Sequence, residues 1–526
     1  MHASRRWCSA DAGLVSLSHS LRNLVSSTTA ANIQRVAFIS LGCPKNLVDS
    51  EQMLGTVREA GFTVVSSDDP ADAIVVNTCG FLESSKEESL QVIREALARR
   101  DRGEAKRVVV AGCLVQRHRA KILDWVPGID AMVGVFDRDR VLDAVGGVDR
   151  ESLPDGDAAP PYWISGNALQ AAEARGRDTI GLTVHGKDGQ GIGYWEGDDT
   201  RVRLTPRHRA YLRISEGCNQ RCAFCTIPSI RGKMRSKPLD HIEHEARALV
   251  ADGAFELGLI GQDTTSWGRD IGDDRGLVGV LETIDRVLGE SGGGWGRLMY
   301  AYPTDFTDEM IDAIARLPNI VKYIDIPLQH MATPVLELMR RRTTGEQQME
   351  LLEKLRERIP GVAIRTTFIV GFPGETDAYF EELRGFVDAF GFDMVGAFQF
   401  SPEPGTPAGT LDADPKLHVP DEVKAAREEA LMLTQQAVCF DNMNYLVEQA
   451  VQFDVLIDGR SDDEGLALGR AYFQAPEVDS VVRVKSVQPL VPGELVRCTV
   501  VEADGYDLFA VPTADLDTSI SLPVVG

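Results

Sequence analysis

The fold is decided by one stretch of the sequence, Arg213-Ile214-Ser215-Glu216-Gly217-Cys218-Asn219-Gln220-Arg221-Cys222-Ala223-Phe224-Cys225. Its three cysteines have the spacing C-x-x-x-C-x-x-C and follow an apolar, strand-like run at residues 211–214. Thiolate sulfur is a preferred ligand of iron–sulfur clusters and of zinc. A structural zinc site needs a fourth ligand nearby, and no cysteine or histidine lies at a recognised ligand spacing. Three ligands with one vacancy suit a [4Fe–4S] cluster whose fourth iron is open to a small molecule.

The alternative is that the three cysteines are simply packed in a hydrophobic core. Asn219, Gln220 and Arg221 lie between the first two cysteines, and such polar residues are mostly exposed in folded proteins. The motif therefore indicates a cluster-binding loop.

The composition is that of a soluble globular protein in a reducing compartment. The 526 residues are 43% hydrophobic and 25% charged, and this length predicts about three or four domains. The nine cysteines are an odd number concentrated in motifs, which disfavours a disulfide framework and predicts a cytoplasmic location. No apolar run reaches the ~20 residues that a membrane span needs.

The formal net charge of −24 disfavours a large RNA-binding surface, because non-specific binding to nucleic acid depends on Lys and Arg that neutralise phosphates. A local basic patch stays compatible with this total. An acidic protein is also attracted to a basic protein partner.

Residues 1–32 are rich in Ser, Ala and Arg. We interpret them as a disordered leader or as the product of a start codon placed too far upstream, with a transit peptide as the less favoured alternative. Residues 148–205 shift to Gly, Asp, Pro and Ala and are predicted to form a linker with a small insertion. Its aromatic residues indicate that it packs on something: Tyr162, Trp163, Tyr194 and Trp195.

Residues 33–147 are predicted to form an open α/β domain of the pattern βαβαβ. Three continuous apolar runs, at residues 36–40, 73–77 and 107–111, are typical of parallel strands that are buried on both faces. Helical patterns separate them, at residues 50–60, with Ser50 as the cap, and at residues 83–100.

Each of these three strands ends in a cysteine beside a glycine, and the cysteines are Cys43, Cys79 and Cys113. Ligands of open α/β sheets bind beyond the carboxyl ends of the strands, so the three thiols are expected to converge. A glycine beside each cysteine lets the backbone turn closely around a ligand. Burial of three free cysteines by chance is the alternative. The pattern predicts a second three-cysteine cluster site.

Residues 206–435 alternate between strand and helix patterns and predict a partial (β/α)6 barrel. Polar and glycine-rich segments follow the strands at the end where such barrels carry out chemistry: the cluster loop, residues 262–265, Pro303, residues 327–330 and residues 371–376.

Three features of this barrel have two interpretations each. The turn from Gly371 to Glu375 either binds part of a small-molecule cofactor or is an ordinary strand-to-helix connection. Gln329-His330 either contacts substrate or makes a structural hydrogen bond. The basic run of Arg231, Lys233 and Arg235 is either a solvated face or a site that holds a carboxylate.

Residues 446–517 change to short β-rich runs separated by Gly and Asp turns, which predict a small β-barrel. From residue 447 to the end of the chain there are five Lys or Arg and fourteen Asp or Glu, a net charge of −9.

The cysteine triplet with Phe224 before its last cysteine resembles the signature of the radical S-adenosylmethionine (SAM) enzymes. Together with the three-cysteine domain and the small barrel, it identifies the chain as similar to the methylthiotransferases, whose C-terminal barrel is a TRAM domain. Residues 40–51, which begin Ser-Leu-Gly-Cys-Pro-Lys-Asn, resemble the branch that modifies ribosomal protein uS12. Residues 227–232, 262–265 and 326–330 point the same way. Trp267 and Phe400 stand where the family pattern has tyrosine.

The resemblance implies that the protein methylthiolates the β-carbon of an aspartate in uS12 with two SAM molecules and two [4Fe–4S] clusters. Cys218, Cys222 and Cys225 would hold the cluster that cleaves SAM to a 5′-deoxyadenosyl radical, and Gly371 and Glu375 would contact the cofactor. Cys43, Cys79 and Cys113 would hold the cluster that carries the sulfur. No catalytic side chain beyond these ligands is assigned. The implied partners are uS12, an electron donor such as flavodoxin or ferredoxin, and a sulfur donor, with no membrane.

Two rival functions share these features. A tRNA adenosine methylthiotransferase has the same cysteines, although the acidic C-terminal barrel makes tRNA an unfavoured partner. A non-enzymatic iron–sulfur protein would bind clusters without cleaving SAM.

Overall fold

The computed structural model describes residues 33–147, 160–164, 200–461 and 465–518. The predicted leader, Tyr194 and Trp195 lie outside the described residues, as does most of the predicted linker. Within the described part of the chain, no helix is both long and apolar enough to cross a membrane.

The N-terminal domain is built on a six-stranded parallel sheet in the order β2-β1-β3-β4-β5-β6. Its strands are β1 (Arg35–Ser40), β2 (Thr63–Val65), β3 (Ala73–Thr78), β4 (Arg107–Gly112), β5 (Ala131–Val133) and β6 (Tyr162–Trp163). Its helices are α1 (Pro44–Glu59), α2 (Glu83–Asp101), α3 (Cys113–His118), α4 (Ile122–Trp125) and α5 (Val141–Gly146). Strand β3 is buried along its whole length, because a separate hydrophobic cluster covers each face of the sheet. The predicted open α/β fold is confirmed.

Two details of this domain differ from the sequence-based expectation. Helix α1 begins at Pro44 with Cys43 as its N-cap, and not at Ser50. Proline at the first helical position has no N–H to lose, and Ser50 lies inside the helix, where its hydroxyl accepts from Asn77 Nδ2 at 2.8 Å. Strand β6 comes from the stretch predicted as a linker, so this part of it packs as the aromatic residues Tyr162 and Trp163 indicated.

The central domain contains a second parallel sheet, in the order β14-β13-β12-β11-β10-β7. Its strands are β7 (Arg209–Arg213), β10 (Glu256–Ile260), β11 (Trp295–Leu298), β12 (Ile320–Asp325), β13 (Ala363–Val370) and β14 (Met394–Gln399), with a small ribbon of β8 (Ser215–Glu216) and β9 (Arg235–Ser236). Because β7 and β14 do not pair, the barrel is partial, as predicted.

The helices of the central domain cover this sheet and connect its strands. They are α6 (Ile227–Arg231), α7 (Leu239–Ala251), α8 (Gly276–Glu290), α9 (Asp308–Arg316), α10 (Thr333–Leu338), α11 (Gly345–Arg358), α12 (Asp377–Phe390), α13 (Pro407–Asp412) and α14 (Asp421–Glu448). Their apolar faces and the strands form one large buried cluster.

The C-terminal domain is a closed five-stranded barrel in the order β15-β16-β17-β19-β18, which confirms the predicted small β-barrel. Its elements are β15 (Gln452–Arg460), β16 (Leu466–Ala471), β17 (Val482–Lys485), β18 (Leu495–Asp504), β19 (Asp507–Pro512) and α15 (Thr513–Thr518). Strands β17 and β19 are parallel and the other pairs are antiparallel.

This barrel is docked on the central domain through ion pairs that its total charge does not reveal. Asp458 accepts from His208 at 2.8 Å, Glu477 pairs with Arg209 at 2.6 Å, and Asp479 lies 3.3 Å from Arg365. In the opposite direction, Arg470 lies 2.8 Å from Glu256. Three of the acids that make this barrel negative are therefore neutralised by the protein itself. Others stay exposed, among them Glu494, Glu502 and Asp504.

Candidate active site

The three cysteines of the central domain lie on the loop that follows β8, beyond the carboxyl end of β7. Gly217 begins the loop with a φ of +74°, and a Cβ there would be 2.2 Å from the carbonyl oxygen of Lys233. The loop therefore needs glycine at this position. Cys218, Cys222 and Cys225 are all partly exposed and interact electrostatically with one another. The structure thus brings the predicted triplet together.

Hydrogen-bond donors are directed at the sulfur atoms of this triplet. The backbone N–H of Gln220 lies 3.4 Å from Cys218 Sγ. Arg341 Nη1 is 3.6 Å and the Tyr302 hydroxyl 3.8 Å from Cys222 Sγ. Hydrogen bonds to ligand sulfurs are a feature of iron–sulfur sites and help to set their reduction potentials. Neither Arg341 nor Tyr302 was singled out from the sequence.

The side chain of Gln220 holds the loop against the barrel. Its Nε2 donates to Asp263 Oδ2 at 2.9 Å and to Asp305 Oδ2 at 3.0 Å. Asp263 is buried and also accepts from Thr265 and Ser266. The polar segment 262–265 therefore fixes the position of the cysteine loop.

The three cysteines of the N-terminal domain lie together at the carboxyl ends of β1, β3 and β4, as predicted. A Cβ on Gly42 would be 2.8 Å from Cys79 Cβ, and one on Gly80 would be 2.7 Å from Leu114 Cα, next to Cys113. The glycines are thus required for the three turns to approach each other. Cys43 is exposed, Cys79 is partly exposed and Cys113 is buried.

Burial keeps most of these cysteines protonated when no metal is bound. It raises the pKa of Cys113 and of Cys225 to about 12, and it also raises the pKa of Cys79 and Cys218. Bound metal favours the thiolate form. In the described ranges, no three His, Cys, Asp or Glu side chains form a site for a single metal ion. A four-iron cluster keeps its thiolates farther apart than one ion does, and the two all-sulfur triplets with their N–H donors fit such a group.

A buried network of charges joins the two cysteine sites, and sequence reasoning missed it. Asp49 on α1 lies 2.6 Å from Arg213 and 2.9 Å from Arg231, and both arginines lie 3.0 Å from Glu216. Arg138 reaches Asp49 at 3.2 Å. Asp49, Arg213, Glu216 and Arg231 are each at most 2% exposed. Arg231 of the basic run therefore holds carboxylates, and the solvated-face interpretation of this residue is wrong.

A second contact between these two domains lies on Glu403, which follows β14. Its carboxylate accepts from Arg117 Nη2 at 2.9 Å and from the backbone N–H of Glu83 at 3.1 Å. Arg117 also donates to the carbonyl oxygens of Gly80 and Phe81, next to Cys79. The turn that carries Cys79 is thus tied directly to the central domain.

Comparison with known proteins gives the same domain order. Residues 35–134 match the model of the uncharacterized protein family UPF0004, residues 212–387 match the radical SAM superfamily, and residues 451–512 match the TRAM domain. A relative from Desulforamulus reducens is 38% identical over 90% of this chain and 98% of its own length. One from Bdellovibrio bacteriovorus is 40% identical over 91% and 97%. Both are named ribosomal protein uS12 methylthiotransferase RimO.

The chain belongs to the RimO family of radical SAM methylthiotransferases. A third relative, from Anaeromyxobacter sp., is 40% identical over 90% of this chain and 92% of its own length. Among solved structures, the radical SAM methyltransferase TsrM from Kitasatospora setae aligns with a TM-score of 0.47 and 16% identity over 72% of this chain and 74% of its own. The predicted family is confirmed, and a radical SAM enzyme implies a [4Fe–4S] cluster and SAM.

The turn predicted to contact SAM follows β13. Gly371 has a φ of +69°, and a Cβ there would be 2.2 Å from Lys424 Cγ. The buried Glu375 carboxylate accepts from the backbone N–H groups of Gly371 and Phe372 and from Arg427 Nη1 at 3.0 Å. Because Glu375 is bonded to its own loop, any contribution to SAM binding comes from shaping the turn. Its role in SAM binding stays a prediction.

His330 is also held by the protein itself. It is fully buried, its Nδ1 accepts from the backbone N–H of Ala332 at 3.0 Å, and its Nε2 lies 3.5 Å from Glu375. These contacts favour the structural interpretation of Gln329-His330 over substrate contact.

The described cysteines outside the two triplets are Cys439 and Cys498, both almost fully buried among apolar side chains. Cys8 lies outside the described residues. We expect serine at position 439, 498 or 8 to leave the iron content and turnover nearly unchanged. At the two buried positions the unfolding free energy should fall by about 1–3 kcal/mol, because the new hydroxyl is buried. Iron analysis and thermal unfolding check this result, and a large loss of iron would reveal a missed ligand.

Proposed function

We propose that this protein attaches a methylthio group to the β-carbon of an aspartate in ribosomal protein uS12. One observation supports this above all: two separate three-cysteine sites are joined by a buried charge network, in a chain that is about 40% identical to proteins named uS12 methylthiotransferase along nearly their whole length. Two incomplete ligand sets suit a reaction that needs two reactive iron sites, since each leaves one iron for a non-protein ligand.

Each site has a proposed role in this reaction. Cys218, Cys222 and Cys225 would hold the cluster that binds and reduces SAM, and Cys43, Cys79 and Cys113 would hold the second cluster, which carries the sulfur. When bound, these groups supply radical chemistry at a carbon that side chains do not deprotonate at neutral pH, together with sulfur and methyl transfer.

The contribution of the protein is positioning. Arg341 and Tyr302 direct hydrogens at Cys222, Gln220 fixes the cysteine loop, and the contacts of Asp49 and Glu403 hold the second site against the first. Rigid placement of reacting groups is a major source of rate enhancement. The electron donor, such as flavodoxin or ferredoxin, and a sulfur donor complete the proposed reaction, which we place in the cytoplasm.

The surface of the TRAM barrel favours a protein substrate over tRNA. After the acids paired with the central domain are set aside, Glu494, Glu502 and Asp504 stay exposed, and Val487, Val491 and Val501 add exposed apolar area beside them. Acidic surface repels a phosphate backbone and attracts a basic ribosomal protein, and this attraction weakens as salt screens it.

A direct competition of substrates tests the proposal. Reconstituted protein, reductant and SAM are incubated with uS12 or with unmodified tRNA, and the products are weighed by mass spectrometry. We expect a methylthio mass gain on uS12 alone, and none with the variant that lacks Cys43, Cys79 and Cys113. A gain on tRNA with none on uS12 would replace this proposal with the tRNA enzyme. Absence of SAM cleavage would leave only a cluster-binding protein.

A further inference from the structure

A cavity of about 340 Å³ lies where the three domains meet. Its walls are the turn at Gly42–Pro44, the inner face of strands β7, β10 and β11, and the TRAM loop at residues 476–478. The exposed Cys43 and the interior face of the barrel therefore line the same cavity. This volume is at the small end of the range for ligand pockets, so it suits one or two amino-acid residues.

Two arginines line this cavity and keep unused donors. Arg297 is 1% exposed, and it donates from Nε to Glu256 at 2.6 Å and from Nη1 to the carbonyl oxygen of Tyr472 at 2.7 Å. Arg209 donates from Nη2 to Glu477 at 2.6 Å. Within the described residues, Arg297 Nη2 and Arg209 Nη1 are buried and have no hydrogen-bond partner. Buried donors are rarely left unpaired.

The acidic groups that line the cavity are already neutralised. Glu256 is paired with Arg297 and Arg470, and Glu477 is paired with Arg209. The two unused guanidinium NH2 groups are therefore expected to donate to an acceptor from outside the protein. A guanidinium has no acceptor atoms and matches the planar pair of oxygens in a carboxylate. An amide offers only one oxygen acceptor and also brings donors, so it fits less well.

We propose that this cavity binds a carboxylate side chain of the substrate protein through Arg209 and Arg297, and holds it beside Cys43. The proposal rests on the proposed function in taking a protein as the substrate. Such a site would provide recognition of a substrate side chain, which cysteines that ligate a cluster do not provide. The TRAM loop takes part through Glu477, which has a left-handed φ of +69° and holds Arg209 by its ion pair.

Binding of two small probes to the full-length protein tests the proposal without turnover. The probes are N-acetyl-aspartate methylamide and its asparagine counterpart, titrated by ligand-observed NMR. We expect the aspartate probe to bind at least about tenfold more tightly, which corresponds to one charge-assisted interaction. Equal binding of the two probes would overturn the carboxylate assignment.

Three variants separate recognition from folding. R209Q should lose the preference for aspartate, because Arg209 supplies one of the two unused donors. E477Q should keep or strengthen the preference, since it frees Arg209 from its ion pair; if the pair served only to hold the TRAM loop, both variants would weaken binding alike. R247Q removes an ion-paired arginine on the outside of α7 and should bind as the unchanged protein does. R297Q is tested only if thermal unfolding shows that it folds.

Turnover of uS12 then distinguishes failure of the carboxylate site from failure of the proposed function. R209Q should raise the KM for uS12 by about tenfold, whereas R247Q should leave this KM unchanged. If the unchanged protein does not modify uS12 at all, the proposed function fails, yet the probe titration still decides the cavity. If R209Q binds the aspartate probe normally and keeps its KM, the carboxylate site is wrong.

Discussion

Replacing Cys218, Cys222 and Cys225 together with alanine should remove about half of the iron from the reconstituted protein and abolish SAM cleavage. Replacing Cys43, Cys79 and Cys113 should remove the other half and leave 5′-deoxyadenosine formation detectable. The reason is that the two triplets lie on separate domains with separate hydrophobic cores, so that each triplet is proposed to hold its own cluster. Iron and sulfide analysis with product chromatography, under anaerobic conditions, measures both results.

The controls are the serine variants of Cys439 and Cys498, which change buried cysteines outside the triplets. Unfolding curves of all variants show whether any loss of iron merely follows loss of fold. Full iron content in either triple variant would contradict the assignment of that triplet. Loss of all iron on removing one triplet would mean that the clusters depend on each other.

Features encoded by local pattern could be predicted from the sequence. The strands β1, β3 and β4 are continuous apolar runs, and a cysteine follows each of them at the edge where parallel sheets bind ligands. Strands β2, β5 and β6 were missed because two or three residues are too few to show a period. The start of helix α1 was predicted six residues too far along the chain. Ser50 is a residue type that favours N-caps, but its hydroxyl accepts a hydrogen bond from the buried Asn77 instead.

Features that depend on distant partners could not be predicted. Arg231 and Asp49 are 182 positions apart and form one ion pair, and no spacing rule relates them. The net charge of the C-terminal barrel can be read from the sequence. That number does not show that Asp458, Glu477 and Asp479 face arginines and a histidine of the central domain. A sum of charges describes a surface only after the buried pairs have been removed from it.

The buried network predicts that Arg231 couples the two cysteine sites. R231M should lower methylthio transfer by about a hundredfold or more, while SAM cleavage without substrate falls only a few-fold. Asp49 and Glu216 both lose a guanidinium partner, and breaking a buried ion pair costs about 3–5 kcal/mol. Burial acts to raise the pKa of Glu216. In the intact protein, however, the guanidinium groups of Arg231 and Arg213 hold this pKa well below its usual value. Without Arg231 the N-terminal domain is held less firmly against the barrel, and small misplacements of the reacting groups lower the rate strongly.

Two further variants distinguish coupling from simple loss of stability. D49N/R231Q removes both charges of the Asp49–Arg231 pair, while Arg213 loses Asp49 but keeps Glu216 as its partner. The double variant should therefore unfold at a higher temperature than R231M and recover part of the transfer activity, because replacing a buried pair costs less than breaking it. R286Q, which breaks the exposed pair between Arg286 and Glu243, should change neither stability nor turnover appreciably. The readout is the ratio of methylthiolated uS12 to 5′-deoxyadenosine formed. If R231M lowers SAM cleavage and methylthio transfer equally, Arg231 only stabilises the fold and does not align the two sites.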